Sequence, residues 1–364
     1  MADAFALLQT VGSGSYAPED VHFLLRAVRM EMTDVAEKER LLQSGQKHYS
    51  EMISRESAPT GTHKELYARA LAQNGGRMAA DVQSLALALH AACPGPDIAL
   101  VSFVRAGLPL GVLLRGALRE MGRTVAHYGV SIIRDRGIDG VALEAVLRAH
   151  APENIVFVDG WTGKGAISGE LARTLAADRR FAGDPRLAVL ADPCGRAWLA
   201  ASAEDWLIPS GILGATVSGL VSRSIWPARG GLHGCVVYEH LREHDVSREF
   251  IERIESERKA LSAVSPALPW TAGRKRELQN AAARVIASLA ARFGVADPNR
   301  VKPGIAEATR AVMRRVPDHV LVRDREDSDV QLLLHLTARA GVPVEEAGSE
   351  LGPYRAVTVI RKVN

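Results

Sequence analysis

An apolar run, Ile155-Val-Phe-Val158, ends in Asp159-Gly160-Trp161-Thr162-Gly163-Lys164-Gly165 before a helix-forming stretch begins. Glycines at a strand-to-helix turn let backbone N–H groups approach a ligand closely. The helix N-terminus adds partial positive charge, Thr162 a hydroxyl and Lys164 a full cation, a combination suited to phosphate. The spacing is neither the Walker pattern G-x-x-x-x-G-K-S/T nor G-x-G-x-x-G. An ordinary Gly-rich turn explains the same residues without a ligand. One βα unit earlier, Val101-Ser-Phe-Val-Arg105-Ala106-Gly107-Leu-Pro109 sets a cation and two small residues at the end of another apolar strand. Arg105 offers a second anion cradle there, while Gly107 and Pro109 also suit a purely structural turn. Arg134, Asp135 and Arg136 read as a charged cluster over a phosphorylated substrate or as a solvated turn.

The elements that must position these residues follow from periodicity. Ile98–Val104, Thr124–Ile133, Ile155–Val158 and Leu187–Leu190 read as strands. Leu110–Met121, Asp139–His150 and a stretch ending near Ala177 read as the helices between them. Such alternation predicts a parallel sheet with helices on both faces, with ligands at the carboxyl ends of its strands. Before it, Val21–Val28, Asp34–Leu42, Lys64–Gln73 and Arg77–Ala92 read as helices, the first introduced by Pro18-Glu19-Asp20. Beyond Ser256 the composition shifts to a basic, Ala-rich helix, Gly273–Phe293. The remainder alternates again: helix Gly304–Arg315, strand His319–Val322, helix Ser328–Ala340, strand Ala356–Ile360. These boundaries divide the chain into 1–265, a linker with the basic helix at 266–298, and 299–364.

Composition narrows the class. The chain has 364 residues, 47% hydrophobic and 24% charged, which excludes disorder for the bulk and suggests more than one domain. No apolar run is long enough to span a bilayer, and MADAFALLQT lacks the basic and apolar regions of an export signal, so a cytoplasmic chain without a membrane partner is expected. A net charge of +3 is too small for a nucleic-acid coat. Cys93, Cys194 and Cys235 are odd in number and widely spaced, so no disulfide framework is expected. A homo-oligomer stays open.

The two loops resemble those of the type I phosphoribosyltransferases, which bind 5-phosphoribosyl pyrophosphate. That resemblance implies Asp159 and Arg105 as catalytic residues. Asp159 would contact the ribose hydroxyls and Arg105, Ala106 and Gly107 the pyrophosphate. Thr162, Gly163, Lys164 and Gly165 would hold the 5′-phosphate, with Arg134, Asp135 and Arg136 over the substrate and Mg²⁺ as cofactor. Gly160 and Trp161 stand where a second acid is usual, and the bulky Trp161 would reshape the pocket.

A closer resemblance is to the StiP family, found with tellurium-resistance and stress operons. It is carried by GSYAPEDV (14–21), HYSEM (48–52), SIIRDRGID (131–139), VDGWTGKGAI (158–167) and ATVSGLVSRSI (215–225). The family's name makes it a cysteine protease, while its sequence pattern resembles a phosphoribosyltransferase. A Cys nucleophile needs a nearby base and a depressed pKa. Cys194 lies in ADPCGR after a strand, Cys235 near His233 and His240 among apolar neighbours, and Cys93 at a helix end. Each reads as a small apolar filler. Thr216, Ser218, Ser222 and Arg223 fall near helical spacing and suit a base-recognition surface or a packed helix face. Asp205, Trp206 and Arg196 are weaker candidates.

Finally, NRVKPGIAEATRAV (299–312) resembles the Pelota-type RNA-binding domain. The resemblance implies RNA contacts by Lys302, Gly304, Glu307 and Arg310, with Ala306 where an Asn is usual. The expectation is therefore an α/β fold: a type I phosphoribosyltransferase-like parallel sheet plus a small α/β Pelota-like C-terminal domain. The function expected is an enzyme acting on a ribose-phosphate substrate with an RNA-binding appendage. A cysteine peptidase and a non-catalytic nucleotide-sensing RNA-binding module are the alternatives.

Overall fold

Strands apolar at nearly every position fit a sheet covered on both faces. In the computed structural model, which describes residues 10–93, 95–181 and 183–362, that sheet is built from six strands: β1 (His22–Phe23), β2 (Asp97–Phe103), β3 (Thr124–Val130), β4 (Ile155–Val158), β5 (Leu187–Ala191) and β6 (Leu199–Ser202). Residues 1–9, read above for an export signal, lie outside the described residues. All neighbouring strands run parallel, in the order β1-β3-β2-β4-β5-β6. Leu100 at the centre pairs with His127 of β3 on one side and Val156 of β4 on the other. The chain therefore leaves β2 for one neighbour and later returns on the other side. Ligands favour the crevice at such a reversal, and the loops after β2 and β4 flank it.

The helices preceding the C-terminal sheet are α1 (Val35–Gln43), α2 (Gly61–Ala92), α3 (Gly107–Glu120), α4 (Gly140–Ala149), α5 (Ala166–Leu175), α6 (Ser247–Lys259) and α7 (Ala272–Arg292). One face of the sheet, with Ile98, Leu100, Val156 and Val158, packs on α2, α3 and α6 through residues such as Val82, Leu113 and Phe250. The other, with Val101, Phe103, Phe157 and Val189, packs on α4 and α5 through Val146 and Leu171. A second sheet of β7 (Val301–Pro303), β8 (Pro317–Val322), β9 (Val344–Glu346) and β10 (Ala356–Ile360) has the order β7-β10-β8-β9 and carries α8 (Ile305–Arg314) and α9 (Gln331–Ala340). Only its β8–β9 pair is parallel.

Several elements differ from expectation. Val21–Val28 is not a helix: Val21, Phe23, Leu24 and Leu25 are all buried, a contiguous run that suits extended chain beside β3 rather than a helical stripe. The two helices expected between Lys64 and Ala92 are one, because Gly75 does not break it. A Cβ there would stand 2.8 Å from Glu257, so the glycine lets α6 approach. Residues 215–225 form no α-helix: a single 3-10 turn at Ala215–Val217 gives way to extended chain, where Ser222 and Ile225 hydrogen-bond across to Val236 and Gly234. The strand Leu199–Ser202 and the helix Ser247–Lys259 were not anticipated. Among the described residues, no helix is long and apolar enough to cross a membrane.

The two sheets are not joined by a free tether. Ala282, Val285 and Leu289 of α7 pack with Val301 and Leu321 of the second sheet and with Tyr354 just before β10. Leu66 and Ala70 of α2, with Leu207 and Ile212, share a core with Ile305, Ala308 and Val312 of α8. The buried Asp205 carboxylate accepts from the N–H of Ile305 at 3.0 Å and of Arg355 at 2.8 Å. An acid at a helix start is also favoured by the helix dipole.

This shared core makes a prediction. Asp205→Ala leaves buried N–H groups unpaired and should destabilise the chain by ~2–4 kcal/mol, read as a lower urea midpoint. Unfolding should remain a single transition for the full chain. Two separate transitions would contradict the shared core.

Candidate functional site

The carboxyl ends of β2 and β4 open onto a cavity of about 370 Å³ that the second domain closes. A volume of a few hundred Å³ suits one small-molecule ligand. The β2 loop contributes Arg105 and Ala106, and the β4 loop contributes Asp159, Trp161, Thr162, Gly163, Lys164 and Gly165. Lys302, Pro303, Glu307, Arg310, Arg314 and Arg315 line it from the C-terminal domain, and Lys38, Tyr49, Arg134 and Arg223 line it as well. Nine Lys and Arg side chains thus face only two carboxylates, Asp159 and Glu307.

Two local conformations make the loops possible. Gly107 starts α3 so close to the end of β4 that a Cβ would overlap the Val158 carbonyl oxygen. Gly165 caps α5 at φ 82°, a left-handed backbone that favours glycine. Thr162 turns inward: its hydroxyl donates to Asp192 at 2.5 Å and accepts from the Cys194 thiol at 3.2 Å. Asp192 also accepts from Arg196 N, Ala197 N and Trp270 Nε1, fixing the floor of the site. The Lys164 ammonium donates to the Pro298 carbonyl at 2.5 Å, and the Tyr354 hydroxyl to the Gly163 carbonyl at 2.9 Å. Both contacts tie the loop to the second domain.

The cations differ in how far they are compensated. Arg105 pairs with Glu56 at 2.9 Å and donates to the Val221 carbonyl, and Arg314 lies 3.7 Å from the same Glu56. Burial raises the Glu56 carboxyl, but Arg105 and Arg314 outweigh it and hold its pKa down at about 2. Arg315 makes a two-pronged pair with the fully buried Glu39. Lys38 donates to Ser54, and Arg223 to the carbonyls of Tyr49 and Met52. Arg310 lies 4.5 Å over the Trp161 ring with its buried Nε unpaired. Lys302 has no hydrogen-bond or ion-pair partner among the described residues.

Burial dominates the protonation equilibria of the site. Burial, with Arg315 next, pushes the Lys302 ammonium down to about 7. Burial, with Arg134 next, takes Lys164 to about 8. Burial raises the Asp159 carboxyl to about 7 against the hydrogen bond from Gly160 N.

The structure brings together residues that the sequence left apart. Arg105, Ala106, Arg134, Asp159, Trp161 to Gly165, Lys302, Glu307 and Arg310 share one cavity. Gly107, Gly160 and Gly304 support its walls as backbone. Asp135 and Arg136 lie elsewhere: the Asp135 side chain is exposed beside His48, and Arg136 pairs with Glu51 and stacks on Trp226. Neither lines this cavity, so of the charged turn only Arg134 does. Glu56, Lys38, Arg314 and Arg315 were missed. The spacing of Glu307, Arg310 and Arg314 at i, i+3 and i+7 on one helix was the signal available for Arg314.

None of the thiols faces the cavity. Cys194 is pushed up to about 12 by burial and by Asp192, Cys235 to about 12 by burial, and Cys93 upward by burial. Among the described residues, the hydrogen bonds of Cys194 run to Thr162 and Asp192, not to a histidine. Nor do the described residues hold a cluster of three His, Cys, Asp or Glu fit for a metal ion. Two carboxylates amid nine cations do not fit a protein-held Mg²⁺, which takes an oxygen-rich octahedral set.

A family model described as "Tellurite-like stress resistance cysteine protease StiP" matches residues 14–255, and one described as "PELOTA RNA binding domain" matches residues 280–362. The chain is 52% identical over 364 residues to "Cysteine protease StiP" of Acinetobacter baylyi (strain ATCC 33305 / BD413 / ADP1), covering 96% of this chain and 94% of the relative. Among solved structures, a hypothetical protein from Neisseria gonorrhoeae with bound ppGpp is 17% identical, with 37% of this chain and 81% of that one covered at a TM-score of 0.26. The hypoxanthine phosphoribosyltransferase of Trypanosoma cruzi is 14% identical, covering 40% and 81% at a TM-score of 0.23. Likenesses at such TM-scores carry no weight for function.

The raised Asp159 pKa has a measurable sign. Against an ordinary 3.8, a folded-state value of about 7 means that the cost of ionising Asp159 is absent below about pH 4 and complete above about pH 7. Asp159→Asn removes that cost, at about 1.4 kcal/mol per pKa unit at most. The variant should gain more stability over the wild type at pH 8 than at pH 5, measured by chemical denaturation. An equal difference at both pH values would contradict this assignment.

Proposed function

The chain belongs to the StiP family, and on that footing we propose that its cavity binds and turns over a ribose 5-phosphate ligand bearing a diphosphate, with 5-phosphoribosyl pyrophosphate as the reference compound. The observation that carries this reading is the excess of nine cations over two carboxylates around a space of ligand size. A ligand with phosphates at both ends supplies the missing negative charge, and charge-assisted hydrogen bonds to it are among the strong ones.

The roles follow from position. The backbone of the 162–165 loop and the start of α5 receive the 5′-phosphate, with Lys164 swinging from the Pro298 carbonyl. Arg105, held by Glu56, faces the diphosphate. Asp159 lies between the two loops, where its carboxylate orients the ribose hydroxyls. Breaking the anomeric C–O bond releases diphosphate with the bonding electron pair, and an acceptor's lone pair forms the new bond to that carbon. The chain's contribution is to hold the leaving group and steady its charge. A Mg²⁺ ion would arrive with the phosphates rather than on protein ligands.

The name of the Acinetobacter baylyi relative favours a second reading, a cysteine peptidase. The Cys194 thiol donates to a cavity-lining residue, Thr162, at 3.2 Å. As a nucleophile it would need Thr162 to move aside and a base to reach it. The Pelota-type match likewise supports an RNA partner for the C-terminal region.

Two experiments separate these readings. Gly163→Val and Lys164→Ala should each weaken binding of 5-phosphoribosyl pyrophosphate at least ~10-fold in calorimetry, equivalent to ~1.4 kcal/mol. Wild-type protein that binds neither this compound nor any 5′-phosphorylated nucleotide ends the transferase reading. Changing Cys93, Cys194 and Cys235 together to Ser should leave diphosphate release intact. Proteolysis of a denatured protein substrate that disappears in folded Cys194→Ser or Cys235→Ser would establish the peptidase instead.

A further inference from the structure

We propose that Lys302, Arg310 and Arg314 of the C-terminal domain are ligand-binding residues of this cavity, gripping the ligand's phosphates, so that the face they form takes either the small phosphorylated ligand or RNA but not both. The inference rests on the phosphorylated-ligand reading above. It changes what the Pelota-type match implies, because the residues that it would give to RNA are turned inward.

Placement comes first. Lys302 stands on β7, and Glu307, Arg310 and Arg314 follow on one side of α8, all lining the cavity. The domain that carries them is fastened down around the rim. Arg315 is paired with Glu39, Asp205 holds the first turn of α8, and Tyr354 grips the β4 loop. A cavity of about 370 Å³ admits a mononucleotide-sized ligand, not a folded RNA.

The second argument is what the cations lack. A buried charge is normally paired, because leaving it unpaired is costly. Lys302 has no partner among the described residues, and the buried Arg310 Nε has no hydrogen bond. Glu307, the acid nearest in sequence, stands 4.0 Å from Arg310. Glu56 is shared between Arg314 and Arg105. Residues kept in so unfavourable a state for structure alone would be replaced by apolar ones at a gain in stability. Their side chains instead line the cavity.

The third argument gives the ligand class. Lys164, Lys302 and Arg310 gather at the β4 loop, with Arg310 over Trp161 and the Lys164 ammonium 3.4 Å from the Val301 carbonyl, while Arg105 and Arg314 share Glu56 at the β2 loop. A single phosphate serves one of these groups. A ribose carrying a 5′-phosphate and a diphosphate serves both.

The test uses the full chain. Lys302→Met should bind 5-phosphoribosyl pyrophosphate at least ~10-fold more weakly by calorimetry while its unliganded Tm equals or exceeds that of the wild type, because a repelled cation has been removed. A structural lysine would behave oppositely, with a lower Tm. Arg310→Lys, which keeps the charge but loses the planar donors, should weaken binding without loss of folding. In a third arm, a labelled RNA hairpin is titrated with and without saturating 5-phosphoribosyl pyrophosphate. At least ~10-fold weaker RNA binding in its presence agrees with one face that serves either ligand, and no RNA binding in either condition overturns the competition. Equal RNA affinity in both conditions overturns the inference. Wild-type protein that binds no ligand sinks the transferase reading and this one with it. Binding that falls in Lys164→Ala but is unchanged in Lys302→Met and Arg310→Lys overturns this inference alone.

Discussion

Like charges repel, and repulsion is strongest where water is scarce. Nine cationic side chains around one small cavity therefore need acids behind them, and the architecture is arranged to provide these without filling the cavity. Glu39 stands behind Arg315, and Glu56 behind both Arg105 and Arg314. Each acid belongs to the segment between β1 and α2, while its partners belong to the β2 loop and to α8. That segment is thus the electrostatic clasp between the two sheets. α8 adds a favourable polarity of its own, with the Asp205 carboxylate at its N-terminus and Arg314 in its last turn.

The same constraint accounts for the floor of the site. Asp192 collects N–H donors from Arg196, Ala197 and Trp270 together with the Thr162 hydroxyl. Its charge is spent on backbone and on the approach to α7, so it offers nothing to the cavity. The result is a strand-to-helix turn anchored from below, with Thr162 N on the Ala191 carbonyl and Lys164 on the Pro298 carbonyl. Rigidity there matters because a site that must reorganise to meet phosphate loses part of its binding energy.

Much of this was legible in the sequence and some was not, for identifiable reasons. The parallel sheet follows from apolar runs alternating with amphipathic stretches, and the β4 loop announces itself by Thr162-Gly163-Lys164-Gly165. Helix α4 begins after Asp139, whose side chain accepts from Val141 and Ala142, as the sequence reading placed it. Local signals failed where a distant partner decides. Lys64–Gln73 and Arg77–Ala92 read as two helices until Gly75 is seen to admit α6, and Val21–Val28 reads as a helix until β3 is seen beside it. The clasp was invisible because Glu39 and Arg315 lie 276 positions apart. The inward turn of Lys302 and Arg310 was equally hidden, since motif spacing says which residues share a face but not what covers it.

The placement of the thiols bears on which chemistry the cavity can support. A thiolate is stabilised by neighbouring Lys and Arg, and few places in this fold would lower a thiol pKa more than a cavity with nine of them. Yet Cys194 sits on the far side of Thr162, next to the Asp192 carboxylate, where burial and negative charge both favour the neutral thiol. Cys235 lies in a short strand paired with Ala27, fully buried. The cationic field is thus kept away from the residues that would need it for nucleophilic attack and is aimed at the space between the two domains. A peptidase built on this fold would have to move a thiol into that field. A phosphate-bearing ligand needs only to enter it.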